Sequence, residues 1–377
     1  MFPKRFAIIA LLTCFFFAIF VFQFQRDQGI LPSTTRFLCP SAPQSTSKPN
    51  ATVDLSEVPF PKKIWQSWKS PVSMLEGGDL DNVRSWKKLN PEYRYELLTD
   101  AAAETYVLDT FLATRPDIVE VFLSLHSVIL RSDFLRYLLL LGDGGVYSDI
   151  DTKNLKPVRD WIPSWYAEDT NIVVGIEVDE PDGQKWSGWR YNYQFCQWTI
   201  MSKPGHPIIE TVVDRVIKSL WDMADKQNTT LNRVKTFSED VIATTGPGAF
   251  TDAVFEILTE QAGKNITAHD ITRLKSPKLL GDVLILPVNA FAPGQSHSKA
   301  GKPEDDGSLV QHMWKSSWWG DNPQGNFEDH KKKKEEEEEQ KKKEEEQKSQ
   351  KDENNSGQGN ANQKRQEDGL RRQEEER

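Results

Sequence analysis

The sequence predicts an α/β domain over residues 58–321, with one central, mostly parallel sheet and helices on both faces. Three observations predict it. Short apolar runs with strand-like alternation are separated by helical patterns. Two long stretches, Ser127–Leu141 and Ile208–Ala224, repeat apolar residues at helical spacing. An apolar strand then closes on two carboxylates, and ligands of open α/β sheets bind beyond the carboxyl ends of strands.

The elements follow in order. Lys63–Trp68 reads as a short strand after a proline-rich entry. Asp81–Leu89 reads as a helix closed by Asn90-Pro91, and Tyr93–Leu98 alternates like a strand. The helix over Ser127–Leu141 ends at Gly142-Asp-Gly-Gly145, because glycine suits the chain reversal after a last helical turn. Val146–Ile150, Ile172–Ile176 and Val283–Pro287 are further strands, and Ile208–Ala224 is the second strong helix.

The flanks differ from this core. Residues 6–24 form an uncharged run interrupted only by Thr13 and Gln23, with Cys14 inside it. As a helix it spans about 28 Å, close to a bilayer's hydrocarbon thickness. A cleaved signal peptide is the rival reading, but the run is long and no small-residue cleavage site follows Phe24. An uncleaved signal anchor is expected. Lys4 and Arg5 then place residues 1–5 in the cytosol and the remainder on the luminal side. Residues 25–57, rich in Ser, Thr, Pro and Gln, read as a stem that holds Cys39. Residues 322–377 read as a charged, low-complexity tail. From position 328 onward, 31 of 50 residues are charged.

The composition excludes some functions. A net charge of −9 argues against a nucleic-acid binder that works by bulk electrostatics. Cysteines at 14, 39 and 196 make neither a disulfide scaffold nor a zinc motif, and Cys196 reads as a buried apolar residue. Sequons at Asn50, Asn228, Asn265 and Asn354 fit a luminal domain.

The chemistry concentrates between Arg131 and Pro157. The helix there has Phe134, Leu135, Leu138, Leu139 and Leu141 at core spacing, which leaves Arg131, Asp133 and Arg136 at its exposed edge. The strand after the double glycine runs into Asp149-Ile-Asp151. Residues two apart on a strand face one side, so both carboxylates point together. Held so close, they repel unless a cation lies between them. Mg²⁺ or Mn²⁺, hard ions with oxygen ligands, are the natural occupants. Asp-x-Asp alone is weak in a chain with 56 acidic residues. The Gly-Gly-x-Tyr before it and the Asp-x-x-Arg helix before that make the pattern specific.

Asp133-x-x-Arg136-Tyr137, Gly144-Gly145-x-Tyr147 and Asp149-x-Asp151 together resemble the sugar-binding region of glycosyltransferase family 32. The likeness is greatest to its fungal Golgi branch, the initiation-specific α-1,6-mannosyltransferases of N-glycan outer chains. Further islands carry it across 58–321. They include Pro61–Trp68, Asn90-Pro91-Glu92-Tyr93, Gln194–Thr199, Lys203–Pro207, Thr245–Ala249 and His312 with Ser317-Trp318.

The resemblance implies a GT-A fold, GDP-mannose as donor and Mn²⁺ (or Mg²⁺) as metal. By analogy Asp149, Asp151 and His312 hold the metal, and Asp133, Arg136 and Arg131 the donor. Tyr147 and the Ile64–Gln66 segment, with Trp65 and Gln66, lie by the nucleotide. Ser317 and Trp318 close over the pyrophosphate. Ser316 departs from the Gly usual in that loop. The resemblance also implies retention of anomeric configuration, an N-glycan acceptor, a Golgi type II membrane protein and membership of a mannosyltransferase complex. The alternatives are a relative with another acceptor or donor, such as an inositol phosphorylceramide mannosyltransferase or a galactosyltransferase, and a non-catalytic subunit. Glu177 and Asp240 are candidate nucleophiles, though an acid in either position is more often structural or hydrogen-bonding. Trp65, Trp68 and Trp86 read as packing residues in their own right. His206 reads as a turn residue before a helix, and Gly246 and Gly248 as shaping a turn near the acceptor cleft.

Overall fold

The computed structural model describes residues 54–183, 192–236, 238–295 and 299–315. The helices are α1 (Gly77–Leu89), α2 (Asp100–Phe111), α3 (Pro116–Ser124), α4 (Val128–Gly142), α5 (Pro207–Lys226), α6 (Ser238–Thr244), α7 (Pro247–Ala262) and α8 (Val288–Phe291). The strands are β1 (Lys63–Ser67), β2 (Arg94–Leu98), β3 (Gly145–Ser148), β4 (Thr152–Asn154), β5 (Ile172–Asp179) and β6 (Tyr193–Phe195). β7 (Thr199–Ser202), β8 (Lys278–Leu280), β9 (Val283–Leu286) and β10 (Val310–His312) follow.

Strand alternation sorts the apolar side chains into two layers. Trp65, Tyr147, Val174, Ile200 and Ile285 face a large core closed by α2, α3, α4, α5 and α7. Their neighbours Ile64, Val146, Val173, Met201 and Leu284 face a second core with Trp86 of α1, Trp161, Phe291 of α8 and Val310 of β10. Trp65 and Trp86 are thus packing residues. Local signals set the helix ends. Pro207 opens α5, and the Nδ1 of His206 accepts the Ile208 N–H at 3.1 Å, so the turn histidine is a helix cap.

The sheet runs β2-β1-β3-β7-β5-β9-β8, with β6 paired to β5. The β1–β2, β1–β3 and β5–β9 pairs are parallel. β7, however, lies antiparallel between β3 and β5, and β6 and β8 are antiparallel to their neighbours. The sheet is therefore mixed, which corrects the expectation of a mostly parallel one. The cause is local. β6 and β7 are so close in sequence that the chain folds straight back along β5 instead of crossing over through a helix.

Two boundaries also move. Leu55 is buried and its carbonyl accepts from Lys203 Nζ at 2.7 Å, so the folded unit begins at Asp54, ahead of the expected 58. β3 stops at Ser148, two residues short of the expected end. Among the described residues no helix is long and apolar enough to cross a membrane. The anchor expected at 6–24, the stem to residue 53, the domain's expected end at 316–321 and the tail at 322–377 lie outside the described residues. Asn228 and Asn265 are exposed.

The double glycine is needed for the path into β3. Gly145 has φ +97°, and a Cβ there would lie 2.6 Å from the Lys63 carbonyl oxygen. Gly145→Ala is expected to cost more than about 2 kcal/mol, read as a lower urea midpoint. An unchanged midpoint would contradict this account of the turn.

Candidate active site

Asp149 and Asp151 lie in a tight turn between β3 and β4, not on the strand itself. Their convergence therefore comes from the turn and not from strand alternation. The turn is pinned from three sides. The Asp149 carbonyl accepts the Gln66 side-chain amide at 2.8 Å, the Thr152 N–H at 3.1 Å and the Thr152 hydroxyl at 2.5 Å. The Asp149 N–H donates to Trp198 O at 2.9 Å, and Asn82 holds the Ile150 carbonyl at 3.3 Å.

Gln66 is committed to this support, since its Oε1 also accepts from the Tyr95 hydroxyl at 2.6 Å. Trp65 is buried, donates its indole N–H to Gly144 O at 3.0 Å and packs edge-on against Tyr106. Ile64 is buried in the opposite layer. All three side chains are thus used inside the fold.

Asp133 and Arg136 of α4 are 1% and 3% exposed, not at an exposed edge. Arg136 bridges three partners. One guanidinium nitrogen reaches Asp133 and the Gln197 side-chain oxygen, and the other reaches Asp149 Oδ1 at 2.9 Å and Oδ2 at 3.3 Å. Asp133 also accepts from Gln197 Nε2 at 3.3 Å and from the Thr245 hydroxyl at 2.9 Å. Burial of these charges is tolerated because each is paired and hydrogen-bonded. Arg131 is elsewhere. It pairs with Glu104 of α2 and lies over the Phe122 ring, so the structure does not join it to this cluster.

Tyr147 donates its hydroxyl to Asp149 Oδ1 at 2.8 Å, lies 3.2 Å from the Ser67 hydroxyl and sits under the Arg136 guanidinium. His312 arrives by a route that no periodicity could reveal. The three-residue strands β4 and β10 pair antiparallel with His312 opposite Thr152, which sets His312 Nε2 3.1 Å from Asp151 Oδ1. Asp151 Oδ2 accepts the Lys315 N–H at 3.0 Å. Ser317 and Trp318 lie outside the described residues.

The two carboxyls differ. Burial pushes Asp149 above its ordinary carboxylate range, against the pull of Arg136. Burial also works against ionisation of Asp151, but the hydrogen bonds from His312 and Lys315 outweigh it and hold that carboxyl below its usual range.

The donor set suits a hard divalent ion. Asp149, Asp151 and His312 each offer one ligand atom, all within 4.8 Å of one another. His312 Nδ1 is buried with no hydrogen-bond partner among the described residues. Asp133 and Asp149 share the guanidinium of Arg136, and Asp151 adds a third carboxylate beside Asp149. Two negative charges thus remain for a cation to balance.

Thr245, Gln197 and Gln194 carry roles that sequence reasoning missed. Thr245 sits where the Thr-Gly-Pro-Gly island meets α4, and Tyr137 fastens the same island by donating to Thr245 O at 2.9 Å. Gly246 caps α7 and Gly248 is buried in its first turn. Asp240 is half-buried on α6.

Glu177 near the end of β5 is 3% exposed and accepts from Gln194 Nε2 at 3.1 Å. Burial pushes its carboxyl up to about 7. In an unfolded chain the group ionises near pH 4.3. The folded state thus holds the proton more tightly. That contribution to stability is complete below the unfolded value and is lost as pH rises through about 7. Glu177→Gln is expected to gain on the wild type by about 3 kcal/mol between pH 4 and 8. Urea midpoints across that range check it, and a pH-independent difference would contradict it.

A family model described as the glycosyltransferase sugar-binding region containing the DXD motif matches residues 78–169, which hold Asp133 to Asp151. An initiation-specific alpha-1,6-mannosyltransferase of Schizosaccharomyces pombe is 38% identical over 269 residues, 70% of this chain and 65% of that protein. A protein of the same name from Candida albicans is 34% identical over 280 residues, 69% of this chain and 72% of that one. The chain thus spans about two thirds of the length of these relatives. The solved structure of PaToxG Glycosyltransferase aligns at TM-score 0.37 and 18% identity, over 54% of this chain and 72% of that one. By sequence, the chain belongs to the glycosyltransferase family with a DXD-containing sugar-binding region, in the group of the fungal initiation-specific alpha-1,6-mannosyltransferases.

Proposed function

We propose that the protein transfers mannose from GDP-mannose, in α-1,6 linkage, to N-linked glycans in the Golgi lumen. The observation that carries this reading is the convergence of Asp149, Asp151 and His312 beside the Asp133–Arg136 pair. It occurs in a chain whose relatives are named α-1,6-mannosyltransferases. In this reading residues 6–24 anchor the protein as a type II membrane protein, and the stem after them, up to residue 53, spaces the domain from the bilayer.

Asp149, Asp151 and His312 hold Mn²⁺ or Mg²⁺ in this reading. A bound divalent ion there stabilises the charge that a diphosphate gains as it leaves. The chain's own residues do the rest. Arg136 supplies a permanent positive charge beside the acids, and its three partners fix its direction. Asp133, oriented by Gln197 and Thr245, accepts hydrogen bonds from donor-sugar hydroxyls. Tyr147 and Ser67 line the approach to Asp149 from the β1 side, where the nucleotide lies. Ser317 and Trp318 close over the pyrophosphate.

The linkage is the test of acceptor chemistry. The full chain is incubated with GDP-mannose, Mn²⁺ and a high-mannose N-glycan, and the product linkage is read by NMR. An α-1,6-linked mannose is expected. Transfer to inositol phosphorylceramide with none to the glycan would replace this reading with the lipid-directed one.

A further inference from the structure

Beyond β10 the chain builds a ladder of three rings beside the acid pair. Trp198, 3% exposed, lies 4.5 Å from His312 between ring centroids. His312 lies 4.0 Å from Trp314, and Trp314 lies 5.9 Å from Trp198. The inner end of the ladder is buried. The outer end is not, since Trp314 is 42% exposed and Met313 beside it is 37% exposed. A tryptophan ordinarily buries most of its large apolar surface.

The backbone holds this indole in place against its own preference. Trp314 has φ +50°, a left-handed conformation that a bulky residue rarely adopts. Clamps on both sides maintain it. The Met313 N–H donates to Asp151 O at 2.8 Å, and the Lys315 N–H to Asp151 Oδ2 at 3.0 Å. Lys315 Nζ bonds Asp79 on α1 at 2.5 Å. Strain kept by surrounding bonds beside a reactive cluster points to a functional role.

The ladder also has a definite side. Arg136 and Tyr147 bond Asp149, with Ser67 behind Tyr147 and Asp133 and Gln197 behind Arg136. His312 and the 313–315 segment bond Asp151 instead. The exposed indole therefore belongs to the Asp151 side of the acid pair, and Asp133, Arg136 and Tyr147 to the Asp149 side.

We propose that Trp314 is the stacking platform for the acceptor sugar. The C–H face of a hexopyranose is apolar, and a fixed, solvent-facing indole covers it while the hydroxyl edge stays free to react. The ligand class is an α-mannosyl oligosaccharide. The inference rests on the mannosyl-transfer reading above.

The test compares the full-chain wild type with Trp314→Asn and Trp314→Phe. Asparagine suits the left-handed backbone and removes the ring plane, and phenylalanine keeps a smaller plane. Kinetics with Mn²⁺ give the KM for acceptor and for donor separately. In parallel, an α-mannose oligosaccharide is titrated into each protein in the presence of GDP and Mn²⁺. For Trp314→Asn, the acceptor KM and the glycan Kd are expected to rise about tenfold and the donor KM less than twofold. Trp314→Phe is expected to recover most of the loss. A rise in donor KM instead would make Trp314 a nucleotide contact, and unchanged values for both would remove it from binding. Should the wild type turn over no GDP-mannose, the mannosyl-transfer reading fails, and the glycan titration still decides the platform.

Discussion

Asp151→Asn is expected to lower mannosyl transfer about a thousandfold or more while the domain stays folded. The substitution removes one charge and changes no shape. The amide can still accept the Lys315 N–H, so the 313–315 segment keeps its anchor. What is lost is a ligand charge at the carboxylate that lies beside Asp149 and His312. Initial rates at saturating donor, with a thermal melt of the same sample, separate chemistry from folding. Transfer within tenfold of wild type would contradict the metal assignment. A collapsed melt would show instead that Asp151 serves the fold.

Arg136→Ala carries the largest expected cost to stability. It strips the cation from Asp133, which is 1% exposed, and from Asp149. Removing one partner of a buried ionic pair costs about 3–5 kcal/mol, because the remaining charge is left uncompensated. Arg136→Lys should restore only part of this. A lysine ammonium is a compact point charge and cannot span Asp133, Gln197 and Asp149 together. Urea midpoints in the order wild type, Lys, Ala would bear this out. A midpoint for Ala close to wild type would mean that the triad adds nothing to stability.

Much of the site was legible in the sequence, but not for every reason first given. The double glycine and the strong helix before it are local signals and sit where expected. Asp149 and Asp151 do converge, yet through a turn that Gln66, Asn82 and Thr152 pin from distant positions. Long-range side-chain bonds leave no periodic trace. The same applies to Asp133 and Arg136. Their charges argue for a helix edge, and only their mutual pairing makes burial tolerable. The mixed sheet was hidden because β6, β7 and β8 have three or four residues each, and the separate β4–β10 pair because each strand has three, too few for alternation to register. His312 therefore came from the family resemblance, and its place beside Asp151 from the β4–β10 pairing. Trp65 illustrates a reading in which the plainer alternative held, since the indole is committed to Gly144 and the core.

The central claim is divalent-ion-dependent use of GDP-mannose at the Asp149–Asp151 turn. The most direct test measures sugar release from a donor panel by the full-length chain, with Mn²⁺ and with a chelator. The account predicts turnover of GDP-mannose ahead of UDP-glucose and UDP-galactose, abolished by the chelator and restored by added Mn²⁺. Preference for a UDP-sugar, or turnover that survives chelation, would contradict it.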